Sequence, residues 1–407
     1  MMNRNAVLLL SSIGLTGIGS WIYFIALNLI IFNQTGSAAA VGLLYIIRPA
    51  AALLTSLWCG SLVDRVQKKG LLLFLTFAQS LLVAGIGLFP DILWASYLFV
   101  FLLQVLSSIL QPAVMSFTAQ LIPVTQLQRF NAVRSLLDSG SFLLGPAIAG
   151  FILMTGSPAT AIYINALALI FSAVLVLFIS FNEELEFRYQ GSSFSLKTGL
   201  IEDWKSTLRF RETHPAIWLI YLVFTLFIVM QTAVDSLEVS FSKEVLLLSD
   251  HQYGLLVSCA GAGILVGSFI NIVLSQALKI SAMIGAGSVT TAAGYLIFAT
   301  APHFLIANIG VFILGIALAF ANTGFLTLIQ QSIPVKSIGR VVSFFHLIEA
   351  FLIIVTTAIL ACFTFYLSIK FAVLSGILVM LLVTVFLTRN LPHPQKVKEI
   401  KKVETGI

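Results

Sequence analysis

The sequence predicts an all-α membrane protein, with twelve transmembrane helices arranged as two pseudo-symmetric six-helix bundles. Three observations predict it. Of 407 residues, 59% are apolar and only 9% charged, against about 25% charged in a soluble domain, and the mean hydropathy is +1.05. The apolar residues gather into runs of roughly 20, the length a helix needs to cross the bilayer core, and they lack the alternation of a membrane barrel strand. The second half of the chain also repeats the first at a constant offset.

Gly, Pro and polar clusters cut the chain into spans at 6–32, 39–62, 70–89, 93–120, 132–154, 159–181, 215–241, 252–274, 281–300, 303–330, 342–366 and 370–389. The first follows Met1-Met2-Asn3-Arg4-Asn5, but its apolar run is too long for a signal-peptide core and lacks a cleavage site, so it reads as a span. The expected domains are a first bundle at 1–181, a linker at 182–214, a second bundle at 215–389 and a basic tail at 390–407. Within the linker, Leu196, Leu200, Ile201, Trp204 and Leu208 recur at helical spacing opposite Glu202, Lys205 and Arg209, which predicts an amphipathic helix lying on the membrane. Cys59, Cys259 and Cys362 are widely spaced and odd in number. They support neither a disulfide framework nor a zinc site, and read as buried small filler.

Cytoplasmic loops retain Lys and Arg. With the N-terminus inside, 19 of the 22 Lys and Arg fall on the inner side, Lys243 and Lys370 fall outside, and Arg48 lies within span 2. Both termini are therefore expected in the cytoplasm, in a multi-pass protein of the plasma membrane. The net charge of +6 describes an inner face meeting anionic lipid and gives no reason to invoke nucleic acid.

The repeat is read from two loops. Gln120-Leu121-Ile122-Pro123 follows span 4 with Arg129 six positions past the proline, and Gln331-Ser332-Ile333-Pro334 follows span 10 with Arg340 six past. The offset is 211 at both the proline and the arginine. It carries Gln111 onto Asn322 and Asp138 onto Glu349, so two carboxylates fall at equivalent depths. Parallel halves of this kind place a substrate site between them near the midplane.

Between spans 2 and 3 the chain reads Gly60-Ser61-Leu62-Val63-Asp64-Arg65-Val66-Gln67-Lys68-Lys69-Gly70. This resembles the signature loop of the major facilitator superfamily, with Gln67 where the family usually has Gly. The resemblance implies a cytoplasmic gate of Gly60, Asp64, Arg65, Lys68 and Lys69, in which Asp64 reaches the positive N-terminal end of span 11. The plainer alternative makes Arg65, Lys68 and Lys69 topogenic charges only. Span 5 carries Gly145, Pro146 and Gly150, similar to a motif the family associates with exporters, although small residues serve close helix packing in any membrane protein. Span 4 lacks the arginine found there in another group of proton-linked exporters. With Gln128-Arg129-Phe130-Asn131 after it, the chain resembles the branch of macrolide and siderophore exporters.

Ionisable groups at membrane depth cost at least ~2.5–3.5 kcal/mol each and are functional candidates by default. Arg48 lies twelve residues from Gly60 and Glu349 nine from Arg340, roughly 18 and 14 Å along their helices. The resemblance makes spans 2 and 11 neighbours, which suggests an Arg48–Glu349 gate. Asp138 would face span 8, where Cys259 stands, and with no evident cationic partner it is the expected proton carrier. His346 reads as a hydrogen-bonded packing residue or a relay, and Asp235 with Glu238, three apart on one helix face, as a solvated outer rim or a pair that attracts cations. The resemblance further implies a cavity lined by spans 1, 4, 7 and 10, offering Asn28, Gln104, Gln111, Gln231 and Asn322 beside aromatics such as Trp21, Tyr23, Phe24, Phe101, Phe227 and Phe325.

No nucleotide-binding loop, metal-ligand cluster or nucleophile constellation is visible. The expected function is therefore secondary active transport without cofactor or enzyme activity, by a monomer. It is expected to export an amphiphilic small molecule such as a drug, a macrolide-like compound or a siderophore in exchange for protons. The alternatives are an importer or lipid flippase on the same fold, or a non-transporting receptor or assembly factor.

Overall fold

The computed structural model describes residues 3–56, 59, 62–63, 66–89, 92–180, 211–212, 214–274, 278–333 and 335–391. Among the described residues, twelve helices are long and apolar enough to cross a membrane. They are α1 (Arg4–Thr35), α2 (Ala38–Ser56), α3 (Lys68–Leu88), α4 (Leu93–Leu121), α5 (Val124–Thr155) and α6 (Pro158–Leu177). After the linker come α7 (Pro215–Asp235), α8 (Asp250–Leu274), α9 (Ile280–Thr300), α10 (Phe304–Ser332), α11 (Val335–Tyr366) and α12 (Ile369–Asn390). A short helix, Glu238–Glu244, follows α7. The expected amphipathic helix of the linker and the basic tail lie outside the described residues.

The offset of 211 read from two loops holds for whole helices. Added to the bounds of α4 and α5 it returns the bounds of α10 and α11, and added to the starts of α1 and α6 it returns the starts of α7 and α12. Helix pairing repeats as well: α1 packs on α5 and α6 as α7 packs on α11 and α12, and α3 packs on α4 and α6 as α9 packs on α10 and α12. Two pseudo-symmetric six-helix bundles are therefore present. The described residues cluster into two compact units, one drawn from Met1–Ser193 with Leu247–Ser258, the other from Phe194–Leu246 with Cys259–Ile407.

Lipid gives helices no hydrophobic reason to associate, so close packing and hydrogen bonds between helices must hold each bundle. In the first unit Ser12 and Ser172 share a hydrogen bond of 2.6 Å between α1 and α6, and Ser80 donates to the Ala166 carbonyl at 3.0 Å. In the second, Gly263 and Gly267 of α8 lie against the backbone of Phe312 and Ile316 of α10, where a Cβ would not fit. Asn271 locks the same pair by donating to the Ala319 carbonyl at 3.1 Å. One apolar cluster in each unit joins equivalent helix ends, around Leu72, Phe117 and Phe130 in the first and around Ile329, Val341 and Phe345 in the second.

Two departures from the expected spans have physical causes. Helices α5 and α11 begin at Val124 and Val335, seven or eight residues before the apolar runs, because the polar stretch between still forms helix once it leaves the hydrocarbon. Helix α7 stops at Asp235 where a span to 241 was expected. There the Ser236 hydroxyl donates to the Ala233 carbonyl at 2.7 Å and the Leu237 N–H bonds to Val234, so the last turn tightens and the regular ladder ends. Cys362 is exposed and the other two cysteines are half-buried, which corrects their reading as core filler.

Candidate functional site

At the end of the first unit where α1 and α3 begin, α6 ends with carbonyls that no further helical turn can satisfy. Lys69 donates from Nζ to the carbonyls of Leu177 and Ile179 at 3.0 and 2.8 Å. Asn5 closes the same end, donating to the Ser180 carbonyl at 2.7 Å and accepting its N–H at 3.3 Å. A cation there also meets the negative end of the helix dipole. Lys68 is buried and donates to the Val66 carbonyl at 3.0 Å. Lys69 thus has a structural task beyond topogenesis. Gly60, Asp64 and Arg65 lie outside the described residues.

Gly145, Pro146 and Gly150 sit in the C-terminal part of α5 and serve two contacts. A Cβ at Gly145 would collide with Trp21 of α1, whose ring stands edge-on to Phe142 at 4.4 Å. Gly150 lies against the segment that opens α8: its ideal Cβ would stand 3.2 Å from the His251 carbonyl and 3.5 Å from Gly254 Cα. The Gly150 carbonyl accepts from His251 Nδ1 at 3.0 Å, which places the ring proton on that nitrogen. Neither His251 nor Gly254 carried a sequence signal that ties it to a residue a hundred positions earlier.

The intramembrane charges behave differently from expectation. Arg48 is exposed and its guanidinium lies over the Phe24 ring at 4.9 Å, a cation–π contact. Glu349 pairs with His346, one turn before it, at 3.4 Å. Asp138 is 58% exposed and stands 3.9 Å from Arg134, one helical turn earlier. Arg134 is thus a cationic neighbour that the sequence reading had not assigned to Asp138. Cys259, expected opposite it, donates instead to the Asn308 carbonyl at 3.5 Å.

Among the expected cavity residues, Gln111 and Asn322, equivalent in the repeat, are both exposed, and Gln104 is half-buried. Asn28 is fully buried, with its amide donating to the Phe24 carbonyl at 2.8 Å, and Phe227 is equally inaccessible. Phe325 stacks on Phe224 at 3.9 Å. Gln231 faces the largest surprise. Asp235 and Glu238 are not a solvated rim: no residue from Val229 to Lys243 is exposed. Asp235 accepts a hydrogen bond from Tyr295 of α9, and Gln231 lies within hydrogen-bonding reach of both. Like charges three residues apart suggested water, whereas the apolar residues that enclose them are supplied by other helices.

The Major Facilitator Superfamily family model matches residues 9–357. The chain belongs to the Major Facilitator Superfamily. It is 24% identical over 349 residues to the uncharacterized MFS-type transporter YfiS of Bacillus subtilis, an alignment covering 83% of this chain and 81% of that protein. It is 28% identical over 276 residues to multidrug resistance protein 2 of Bacillus subtilis, covering 67% of this chain and 65% of the relative. Among solved structures, the nucleoside transporter NupG superposes with a TM-score of 0.75 at 12% identity, over 96% of this chain and 100% of that one. A D-xylose-proton symporter gives 0.68 at 13% identity, over 95% and 98%. The superfamily fold accounts for the two repeated bundles and assigns the chain to multi-pass membrane transport of small molecules, not to enzymes.

Proposed function

We propose that the chain is a secondary active exporter, moving an amphiphilic small molecule outward across the plasma membrane in exchange for protons, with both termini in the cytoplasm. The observation that carries this reading is the Gly145-Pro146-Gly150 segment of α5, which the sequence resemblance associates with exporters and whose glycines take part in close backbone contacts. The name of one relative, a multidrug resistance protein, favours a lipophilic, drug-like substrate. Aromatic surfaces suit such a substrate, as Trp21 with Phe24 and Phe142 offer in the first unit. A greasy lining with a few oriented polar groups binds amphiphiles without strict shape demands.

In this reading Asp64 with Arg65, Lys68 and Lys69 latches the cytoplasmic side. Arg48 and Glu349 then exchange partners as the halves rock, Arg48 leaving Phe24 and Glu349 leaving His346. Energy comes from an ion gradient. Import is the competing direction, since one structural neighbour is named a proton symporter for a sugar.

A resistance screen tests the proposal. A host lacking the protein and the same host overproducing it are compared across chemically diverse toxic compounds, including lipophilic cations and macrolides. Export predicts raised tolerance to a subset of amphiphiles on overproduction. Unchanged tolerance throughout, or heightened sensitivity, contradicts export.

A further inference from the structure

Gln231, Asp235, Glu238 and Ser242 follow one another at intervals of four, three and four residues along α7 and the short helix after it, which sets them in one row on one face. The break between the helices does not disturb the row. Ser236 and Leu237 keep right-handed backbone angles, φ −63°, ψ −21° and φ −98°, ψ −4°. Tyr295 joins from α9 through its hydrogen bond to Asp235.

The row is rich in oxygen and poor in anything to satisfy it. Among the described residues no salt bridge joins Asp235 or Glu238 to a base. Gln231 Oε1 and Ser242 Oγ are buried and have no hydrogen-bond partner, and Ser242 has no accessible surface at all. Asp235 and Glu238 are half-buried. Two carboxylates on neighbouring turns in an apolar setting cannot both keep their charge without a cation. A proton removes one charge and gives the row a donor. A sodium ion would take carboxylate, amide and hydroxyl oxygens together, as hard cations do.

The fold does not require these groups. By the offset of 211, the first unit builds the same stretch from Ser20, Phe24, Leu27, Ile31 and Ala84, and α1 runs unbroken to Thr35. The row is therefore an addition to the second repeat, placed where its helix is interrupted. Interrupted helices are one place where transporters hold coupling ions.

We propose that Gln231, Asp235, Glu238 and Ser242, with Tyr295, bind the coupling cation, a proton or a sodium ion. That the cation drives export rests on the function proposed above, while the binding does not. The other titratable and charged groups on the elements packed here are few. The short helix carries Lys243 and Glu244, α12 begins with exposed Lys370, the last turns of α11 hold only Cys362 and Tyr366, and α9 has none besides Tyr295. His346 and Glu349, at the opposite end of α11, pair with each other.

The test compares the wild-type protein with Asp235→Asn/Glu238→Gln and with Tyr295→Phe, all in lipid nanodiscs. Thermal unfolding is followed between about pH 6 and about pH 8, and at the higher pH in sodium chloride against choline chloride of equal ionic strength. A proton site predicts a wild-type midpoint that rises as pH falls, and a sodium site one that rises with sodium. The double variant loses that rise, and Tyr295→Phe, which keeps both carboxylates, retains part of it. An equal rise in wild type and double variant overturns the proposal, as does no rise in wild type under either condition. Should the double variant fail to fold, an unchanged rise in both Glu238→Gln and Tyr295→Phe overturns it. A second arm uses ethidium in proteoliposomes. Wild type driven by the gradient beside a variant that only exchanges ethidium supports coupling through this row, and a variant still driven overturns it. A wild type that shows the cation effect but moves none of the screened compounds sinks the transport reading and leaves the binding site standing.

Discussion

Replacing Gly254 by alanine places a methyl group where the contact between α5 and the start of α8 has no room. The new Cβ would lie 2.7 Å from Gly150 Cα, 2.9 Å from Gly150 N and 3.0 Å from the Pro146 carbonyl oxygen. All three are backbone atoms, so no side chain can turn aside, and the segments must separate by several tenths of an ångström. Overpacking of this kind costs about 1–3 kcal/mol, and the His251–Gly150 hydrogen bond, worth about 0.5–1.5 kcal/mol, is stretched with it. The contact should therefore open about 5–150 times more often than in wild type. Hydrogen–deuterium exchange read on peptides covering 247–258 reports that opening as faster exchange. The control lies in the partner helix α5: a Cβ at Gly140 meets nothing within 4 Å, so Gly140→Ala leaves exchange unchanged or slower. Equal behaviour of the two variants would refute the argument that this seam depends on backbone proximity.

Three other substitutions follow from named contacts. Lys69→Met removes the donor to the Leu177 and Ile179 carbonyls and should cost about 1–2 kcal/mol, seen as a lower unfolding midpoint that Lys69→Arg partly restores. Leu247 has a left-handed φ of 53° and is 80% exposed, so Leu247→Gly relieves a strain of about 1–2 kcal/mol and should raise the same midpoint. Asn271→Leu breaks the bonds to the Ala319 carbonyl and the Thr323 hydroxyl, yet its Oδ1 already lacks a partner. The net cost should stay under about 1.7 kcal/mol, the upper range for hydrogen bonds between membrane helices, and a larger loss by chemical denaturation would show that the amide does more.

The spans were legible because bilayer thickness imposes a length on apolar runs, and the bundle repeat because two loops kept proline and arginine in register. The helix ends were less so: the stretch from Val124 to Phe130 is polar enough to look like a loop but continues α5 as helix. The charges were the hardest. Arg134 was readable as a partner for Asp138 from their spacing of one turn, although the sequence reading left Asp138 without a cationic partner. For Asp235 the deciding group, Tyr295, stands sixty residues on, in another span, where nothing in the local sequence ties it to Asp235. Burial of the short helix comes from other elements and leaves no mark in its own residues.

The central claim is export driven by an ion gradient, and inside-out membrane vesicles test it most directly. With an imposed pH gradient, acid inside, vesicles containing the protein should accumulate ethidium, and collapsing the gradient with a protonophore should release it. Gradient-driven depletion of ethidium from the vesicles, or accumulation that survives the protonophore in sodium-free buffer, would contradict the account.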